Sequence, residues 1–222
     1  MRFTSVLFDL DGTLLNTIPD LTDAVNAMRM EMHLRPLRQD VVATYVGKGS
    51  EVLVRRALSD DLDETIEQQR LAEGLALFYQ YYHAVNGDKT VIYDGVLDGL
   101  KSFRETGARM AVVTNKPGEF TEPLLVRTGL AGFFEHAVSG DTCPRKKPDP
   151  MPLQHACQLL GGQPQDTLVV GDSRNDVQAA RSAGMTVVAV PYGYNEGQGV
   201  QNLDADAIVA SIDEAAQWAM QQ

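Results

Sequence analysis

Two aspartates separated by one residue lie at the end of a short apolar stretch near the start of the chain. The segment from Val6 reads VLFDLDGT and contains Asp9, Asp11 and Gly12. A brief apolar run is typical of a strand in a buried parallel sheet, and open α/β sheets bind ligands where their strands end. Two carboxylates there repel each other unless a cation lies between them, and hard divalent cations prefer oxygen ligands. The stretch predicts a metal site, although an acidic turn after a strand would have the same residue types.

Other predicted strands also end at polar residues. Apolar runs at 110–113 and 167–170 are followed by residues that a phosphate or metal site would need, and a Lys-Lys-Pro segment begins at Lys146. The candidates after Asp9 and Asp11 are Thr114, Asn115, Lys147, Asp172 and Asp176. The last two aspartates are four residues apart and share a face if a helix begins there. One of them acting only as a helix cap is the open alternative.

The DxDGT segment, the Lys-Pro pair and the GDxxxD segment occur in an order that closely resembles the haloacid-dehalogenase-like superfamily of phosphatases. The resemblance spans nearly the whole chain. The segment Tyr45–Ser50 (YVGKGS) and the paired Lys146-Lys147 look most like the phosphoglycolate phosphatase branch. This resemblance implies a Mg²⁺-dependent phosphomonoesterase that acts through an aspartyl-phosphate, with a small phosphate ester, most of all 2-phosphoglycolate, as its substrate.

The resemblance also implies the catalytic roles. Asp9 matches the nucleophile, and Asp11 matches the general acid that protonates the leaving alkoxide and later activates water. Lys147 aligns with the lysine that neutralises the transferring phosphoryl group, because it is the lysine followed by proline. Lys146 is then a solvated surface residue.

Mg²⁺ would be held by Asp9, by the backbone carbonyl of Asp11 and by Asp172, again on the resemblance. Asp176 would orient a metal-bound water or Lys147 without binding the metal itself. For the phosphate, the resemblance points to the hydroxyl of Thr114. Gly12 and Asn115 would add amide groups aimed at the same oxygen atoms.

Alternating strands and helices indicate an α/β fold, in which a Rossmann-like parallel sheet core is flanked by helices. Residues 16–88 show helical periodicity and no convincing strand, which predicts a small all-helical cap domain inserted after the first strand. The predicted core comprises residues 1–15 and 89–222. Within the cap, the spacing of Asp61 and Glu64 resembles a capping box and predicts a helix start there. Apolar stripes support the first and last cap helices: Leu21, Val25, Met28 and Met32, then Leu71, Leu75, Phe78 and Tyr82.

The cap is expected to select the substrate. Gly47 and Gly49 would let the backbone approach a small ligand, and Lys48 between them could pair with a carboxylate. Arg55 is a further candidate for substrate binding. The alternatives are a glycine break between two helices and an arginine that is only part of the surface.

The composition excludes some classes of protein. A net charge of −11 in 222 residues argues against a nucleic-acid binder, which needs a basic face. The two cysteines and four histidines have no zinc-ligand spacing, and free thiols are expected. We expect no membrane association, because no apolar run approaches a membrane span. The first strand begins too early to leave room for a signal peptide, so we expect a cytoplasmic protein. We also expect a monomer or homodimer.

Three alternatives remain open at this stage. The chain could be a phosphatase of another small substrate, such as a sugar phosphate or a nucleoside monophosphate. It could be a phosphomutase of the same fold, which keeps both aspartates, or a non-catalytic binding module. The presence of Asp9, Asp11, Asp172 and Lys147 together argues against the binding module. A protein that only binds gains nothing from several like charges held close together.

Overall fold

The computed structural model describes residues 2–222 and contains a six-stranded, all-parallel sheet in the order β5-β4-β1-β6-β7-β8. This confirms the predicted fold class. The central strand β1 lies between β4 and β6, so its carboxyl end is flanked on both sides. The six strands are Ser5–Phe8 (β1), Arg109–Val113 (β4), His136–Val138 (β5), Thr167–Gly171 (β6), Thr186–Ala189 (β7) and Ala207–Ile208 (β8).

Helices cover both faces of this sheet, as the alternation of strand and helix predicts. Val6 and Phe8 belong to one apolar cluster and Leu7 to the other, because successive strand residues point to opposite faces. The first cluster includes residues of α5, α6 and α9, and the second includes residues of α7 and α8. These helices are Val96–Glu105 (α5), Gly118–Arg127 (α6), Met151–Leu159 (α7), Arg174–Ala183 (α8) and Ile212–Met220 (α9).

Four of the five helices between the first and second strands of the large sheet bury an apolar cluster of their own. This cluster includes Val25, Met28, Leu53 and Phe78, together with Phe120 from α6. We refer to residues 16–88 as the helical insert. Its helices are Ile18–Glu31 (α1), Gln39–Tyr45 (α2), Ser50–Ser59 (α3) and Gln68–Val85 (α4).

Two details of the insert differ from the sequence-based expectation. A short antiparallel pair, Leu15–Asn16 (β2) with Val91–Ile92 (β3), joins the two ends of the insert where no strand was predicted. Two-residue strands are too short to show the alternation of apolar and polar residues that predicts a strand. The helix predicted to start near Asp61 starts at Gln68 instead. The Asp61 carboxylate accepts a hydrogen bond from the Asp63 amide and forms a turn, because aspartate caps turns as readily as helices.

Cys143 and Cys157 are both free, as expected. Across the described residues, none of the helices is long and apolar enough to cross a membrane.

Candidate active site

The carboxyl ends of three adjacent strands meet at one edge of the sheet. Phe8 in β1 is in register with Val112 in β4 and with Val170 in β6. The residues that follow these strands therefore converge, and the Asp9 amide donates to the Val170 carbonyl at 3.0 Å. The sheet thus brings Asp9, Thr114 and Asp172 to one place, as the sequence predicted.

Three carboxylates cluster at this edge. Asp9, Asp172 and Asp176 each present one oxygen, and these atoms all lie within 4.8 Å of one another. The Lys147 ammonium lies between two of them, 3.0 Å from Asp9 Oδ1 and 2.6 Å from Asp176 Oδ1. Lys147 is buried whereas Lys146 is exposed, so the lysine chosen from the sequence is the one in the cluster.

Asp176 combines the two roles that the sequence left as alternatives. Its Oδ2 accepts hydrogen bonds from the Ser173 amide and hydroxyl at 3.1 and 2.6 Å, completing a capping box at the start of α8. Its Oδ1 accepts from Lys147. The side chain is therefore a helix cap and a lysine partner at once.

Burial and mutual repulsion shift the pKa values of these acids. Burial raises the pKa of Asp9 well above its usual range, with Lys147 opposing the shift and the other two aspartates adding to it. Burial, then the charge of Asp176, raises the pKa of Asp172 to about 7. For Lys147, burial lowers the pKa, but the charges of Asp176 and Asp9 outweigh it and the net shift is upward. The cluster carries more negative charge than one lysine can offset.

Asp172 is held in place from two directions. Thr13 Oγ1 donates to its Oδ1 at 2.7 Å, and the Tyr194 amide donates to its Oδ2 at 2.8 Å. Gly12 packs directly against the same carboxylate: its φ is +88°, and a Cβ there would lie 2.6 Å from Asp172 Oδ2. Only glycine satisfies both the backbone angle and the close approach.

The acidic cluster fits a divalent metal by the chemistry of its donor set. It offers carboxylate oxygens, which hard cations such as Mg²⁺ prefer, and it leaves two buried acids with raised pKa values that a cation would lower. The carboxylate of Asp11 is not part of this cluster. A contribution of Asp11 through its backbone carbonyl is compatible with that arrangement.

The carboxylate of Asp11 is held by two other residues. Its Oδ1 accepts a hydrogen bond from Thr17 Oγ1 at 2.7 Å. The same atom forms an ion pair with Lys116 Nζ at 3.0 Å. The Lys116 ammonium also donates to the Tyr82 hydroxyl at 2.7 Å, and both side chains are buried. Sequence reasoning missed Lys116 and took Tyr82 only as a core residue. The position of Lys116, two residues after Thr114, was the available signal.

The Gly12 backbone amide and the Asn115 side chain have partners within the protein, whereas a role for the Asn115 backbone amide stays a prediction. The Gly12 amide donates to the Leu15 carbonyl at 2.9 Å, so it closes the loop after β1 and does not point at a ligand. The Asn115 side chain donates to the Gly47 and Lys147 carbonyls and accepts from the Lys147 amide, each at 2.9 Å. Asn115 therefore braces Lys147 and the insert. Thr114 Oγ1 accepts from the Lys116 amide at 3.2 Å, which leaves its own proton available to donate.

A cavity adjoins Asp9 and Asp11 and extends toward the helical insert. Residues of both the core and the insert line it: Asp9, Asp11, Leu21, Val46, Gly47, Gly49, Ser50, Leu53, Tyr82, Thr114, Asn115 and Lys116. Gly47 and Gly49 thus border the cavity.

The two cationic residues predicted to bind substrate from the insert lie outside this lining. Lys48 forms an ion pair with Glu196 at 2.7 Å. Arg55 is half-buried on α3, and its Nε has no hydrogen-bond partner among the described residues. Its neighbour Arg56 is buried and pairs with the same Glu196 at 2.6 Å. Lys48 and Arg56 therefore connect the insert to the loop after β7.

Comparison with known proteins agrees with this geometry. The family model for haloacid dehalogenase-like hydrolases matches residues 6–190. The chain belongs to the haloacid dehalogenase-like hydrolase family. The match to this hydrolase family includes every residue of the acidic cluster, both buried lysines and the whole helical insert.

Three similar proteins are described as phosphoglycolate phosphatases. A phosphoglycolate phosphatase of Nitrosospira multiformis is 49% identical over 95% of this chain and 93% of that protein. A phosphoglycolate phosphatase of Thiobacillus denitrificans is 45% identical over 96% of this chain and 93% of that protein. A crystal structure described as a predicted phosphoglycolate phosphatase from Haemophilus somnus 129PT matches with a TM-score of 0.92 and 31% identity, covering 100% of this chain and 99% of that chain.

Proposed function

We propose that this hydrolase cleaves small phosphate monoesters, with 2-phosphoglycolate as its substrate, through a phosphoryl group carried transiently on Asp9. The observation that carries the proposal is the Asp9 carboxylate beside Lys147 at the end of the central strand, 3.0 Å from its ammonium. Relatives that share 45–49% of their residues with this chain and are named phosphoglycolate phosphatase support the choice of substrate.

The first step transfers the phosphoryl group. An Asp9 oxygen attacks phosphorus, and the bond between phosphorus and the ester oxygen breaks. Asp11 gives its proton to that oxygen, so glycolate leaves as the alcohol. Lys147 neutralises charge on the transferring group, and the Thr114 hydroxyl donates to one of its oxygens. In the second step Asp11 takes a proton from water, which attacks phosphorus and frees Asp9 and inorganic phosphate.

Asp9, Asp172 and the backbone carbonyl of Asp11 would hold Mg²⁺. The ion supplies charge neutralisation for the phosphate oxygens when bound. Asp176 acts from outside this ligand set by holding Lys147 in position. Thr13 and the Tyr194 amide keep the Asp172 carboxylate oriented toward the cluster.

The helical insert, taken as residues 16–88 between core segments 1–15 and 89–222, acts as a lid over the site. It buries its own apolar cluster and contributes Gly47, Ser50 and Tyr82 to the cavity wall. Closing such a lid excludes water from the reacting centre and favours a small substrate. We place the protein in the cytoplasm, a location that its free thiols support. We expect it to be a monomer or homodimer.

The deciding experiment measures kcat/KM for 2-phosphoglycolate beside sugar phosphates and nucleoside monophosphates, with Mg²⁺ and with EDTA. We expect a clear preference for 2-phosphoglycolate that disappears with EDTA. Metal-dependent turnover with another preference would keep the chemistry and change the substrate. Absence of turnover with every ester would contradict the proposal and favour a phosphomutase or a binding module.

A further inference from the structure

The cavity beside Asp9 and Asp11 has a single cationic side chain in its lining among residues 2–222, and this is Lys116. Its side chain is 4% exposed. Lys147 contacts Asp9 but is not part of the cavity lining, and Lys48 is paired with Glu196. Among the side chains that line the cavity, Lys116 is therefore the cation that a second anionic group on a ligand would meet.

We propose that Lys116 binds the carboxylate of the substrate and so selects small phosphate monoesters that carry a second anionic group. The proposal rests on the function proposed above. It assigns the recognition of the carboxylate to the loop after β4 instead of to the lysine and arginine of the insert.

The hydrogen bonds of Lys116 leave one donor for a ligand. An ammonium group has three N–H donors. One is given to the Tyr82 hydroxyl at 2.7 Å and one to Asp11 Oδ1 at 3.0 Å, and the described part of the chain provides no third acceptor. The two contacts also fix the position of Nζ before a ligand arrives, which reduces the entropy lost on binding.

The position of Asp11 relates Lys116 to the substrate's chemistry. In the proposed reaction Asp11 protonates the ester oxygen. In 2-phosphoglycolate the carboxylate is attached to the carbon that bears this oxygen. A cation that is hydrogen-bonded to Asp11 therefore lies on the side of the cavity where that carboxylate is bound.

The rest of the cavity wall makes a cation necessary. Leu21, Val46 and Leu53 give the lining an apolar part. A carboxylate placed against apolar side chains without a partner loses its hydration and gains nothing in return. The buried ammonium of Lys116 offsets this loss, and a neutral substrate gains nothing from it.

The test compares two esters that differ in the carboxylate, 2-phosphoglycolate and ethyl phosphate, in wild-type protein and in Lys116→Met. Because loss of a charge-assisted hydrogen bond corresponds to a change of about 10- to 100-fold, we expect the ratio of kcat/KM for 2-phosphoglycolate over ethyl phosphate to fall by that factor. Lys116→Arg, which keeps the charge, should restore part of the ratio. Lys101→Met, on the exposed surface of α5, is the matched control and should leave the ratio unchanged.

The ratio separates substrate recognition from the contact between Lys116 and Asp11. If Lys116 only positions Asp11, both esters lose activity by the same factor and the ratio is unchanged, which would overturn the proposal. A fall of the ratio in Lys48→Met but not in Lys116→Met would overturn it as well. Wild-type protein that hydrolyses neither ester would contradict the proposed function itself. This outcome differs from a failure of the proposal for Lys116, in which the wild-type protein is active.

If thermal unfolding shows that Lys116→Met does not fold, a measurement of ligand binding replaces the kinetic test. Lys116→Gln keeps an N–H donor for Tyr82 and removes the charge. In an Asp9→Asn background, which prevents turnover, calorimetry should show weaker binding of 2-phosphoglycolate in the glutamine variant and unchanged binding of ethyl phosphate. Equal binding of 2-phosphoglycolate with and without the Lys116 charge would overturn the proposal.

Discussion

Lys147 Nζ lies 2.6 Å from Asp176 Oδ1, and 2% and 1% of the two side chains are exposed, so they form a buried ion pair. The pair joins the loop before α7 to the first turn of α8. Both residues follow from sequence motifs, but their contact does not, since 29 residues separate them. The position of Lys147, the proposed phosphate-binding lysine, therefore depends on the folding of the core, because Asp176 is brought beside it only there.

Loss of Asp176 should destabilise the protein strongly. In Asp176→Ala the buried Lys147 loses its closest carboxylate partner and α8 loses its capping box. Breaking a buried pair costs about 3–5 kcal/mol of unfolding free energy. Ser173→Ala removes only the cap and should cost about 1 kcal/mol. Urea unfolding measures both. Equal losses in the two variants would show that the ion pair adds nothing to stability.

Asp9→Asn should abolish turnover without unfolding the chain. Removal of a nucleophile lowers kcat on the order of 10⁴-fold or more. Burial raises the pKa of Asp9, so the charged form is unfavourable in the fold and a neutral amide should not lower the melting temperature. Asp98→Asn, at an exposed position on α5, is the control. Residual activity of half or more would rule out Asp9 as the nucleophile.

Magnesium should stabilise the protein more at pH 8 than at pH 5. Without metal, burial and Asp176 raise the pKa of Asp172 to about 7. Between its ordinary pKa and this value the folded state binds more protons than the unfolded state, so stability without metal falls as pH rises. At pH 5 a metal must displace that proton, and at pH 8 it need not. Thermal unfolding with Mg²⁺ and with EDTA at both pH values measures this difference. A larger rise of the melting temperature with Mg²⁺ at pH 5 than at pH 8 would contradict the prediction.

Glu196 should hold the insert against the loop after β7. Burial favours its neutral form, but hydrogen bonds from Lys48 and Arg56 outweigh this and lower its pKa, so the ion pairs persist at neutral pH. Because Glu196 is partly exposed, Glu196→Gln should cost about 1 kcal/mol, or roughly fivefold in local opening.

Hydrogen exchange read by mass spectrometry checks this expectation. Exchange in α3, which carries Arg56, should become faster in Glu196→Gln, while α5 and α9 on the far face should not change. The surface variant Glu122→Gln is the matched control. Uniform acceleration throughout the chain would indicate general destabilisation instead of release of the insert.

Much of the site was predictable because its residues are tied to local patterns. The DxDGT segment follows an apolar run whose length indicates a buried strand, and GDxxxD lies where a strand passes into a capped helix. Such signals need only a few neighbouring residues. They determined the strands that precede Asp9, Thr114 and Asp172 and the order of the motifs. The family resemblance then implied the choice of Lys147 over Lys146. The limits of the helical insert at 16 and 88 stay a prediction.

The partners of charged residues were decided by tertiary structure alone. Lys116 contacts Asp11 and Tyr82, which are 105 and 34 residues away, and Glu196 draws Lys48 away from the cavity. Pairing across such distances depends on how helices and loops pack, and no local periodicity encodes it. The sequence therefore indicated the residues that form the acidic cluster and the lysine beside it, and the packing of the insert on the core determined which cation faces the cavity.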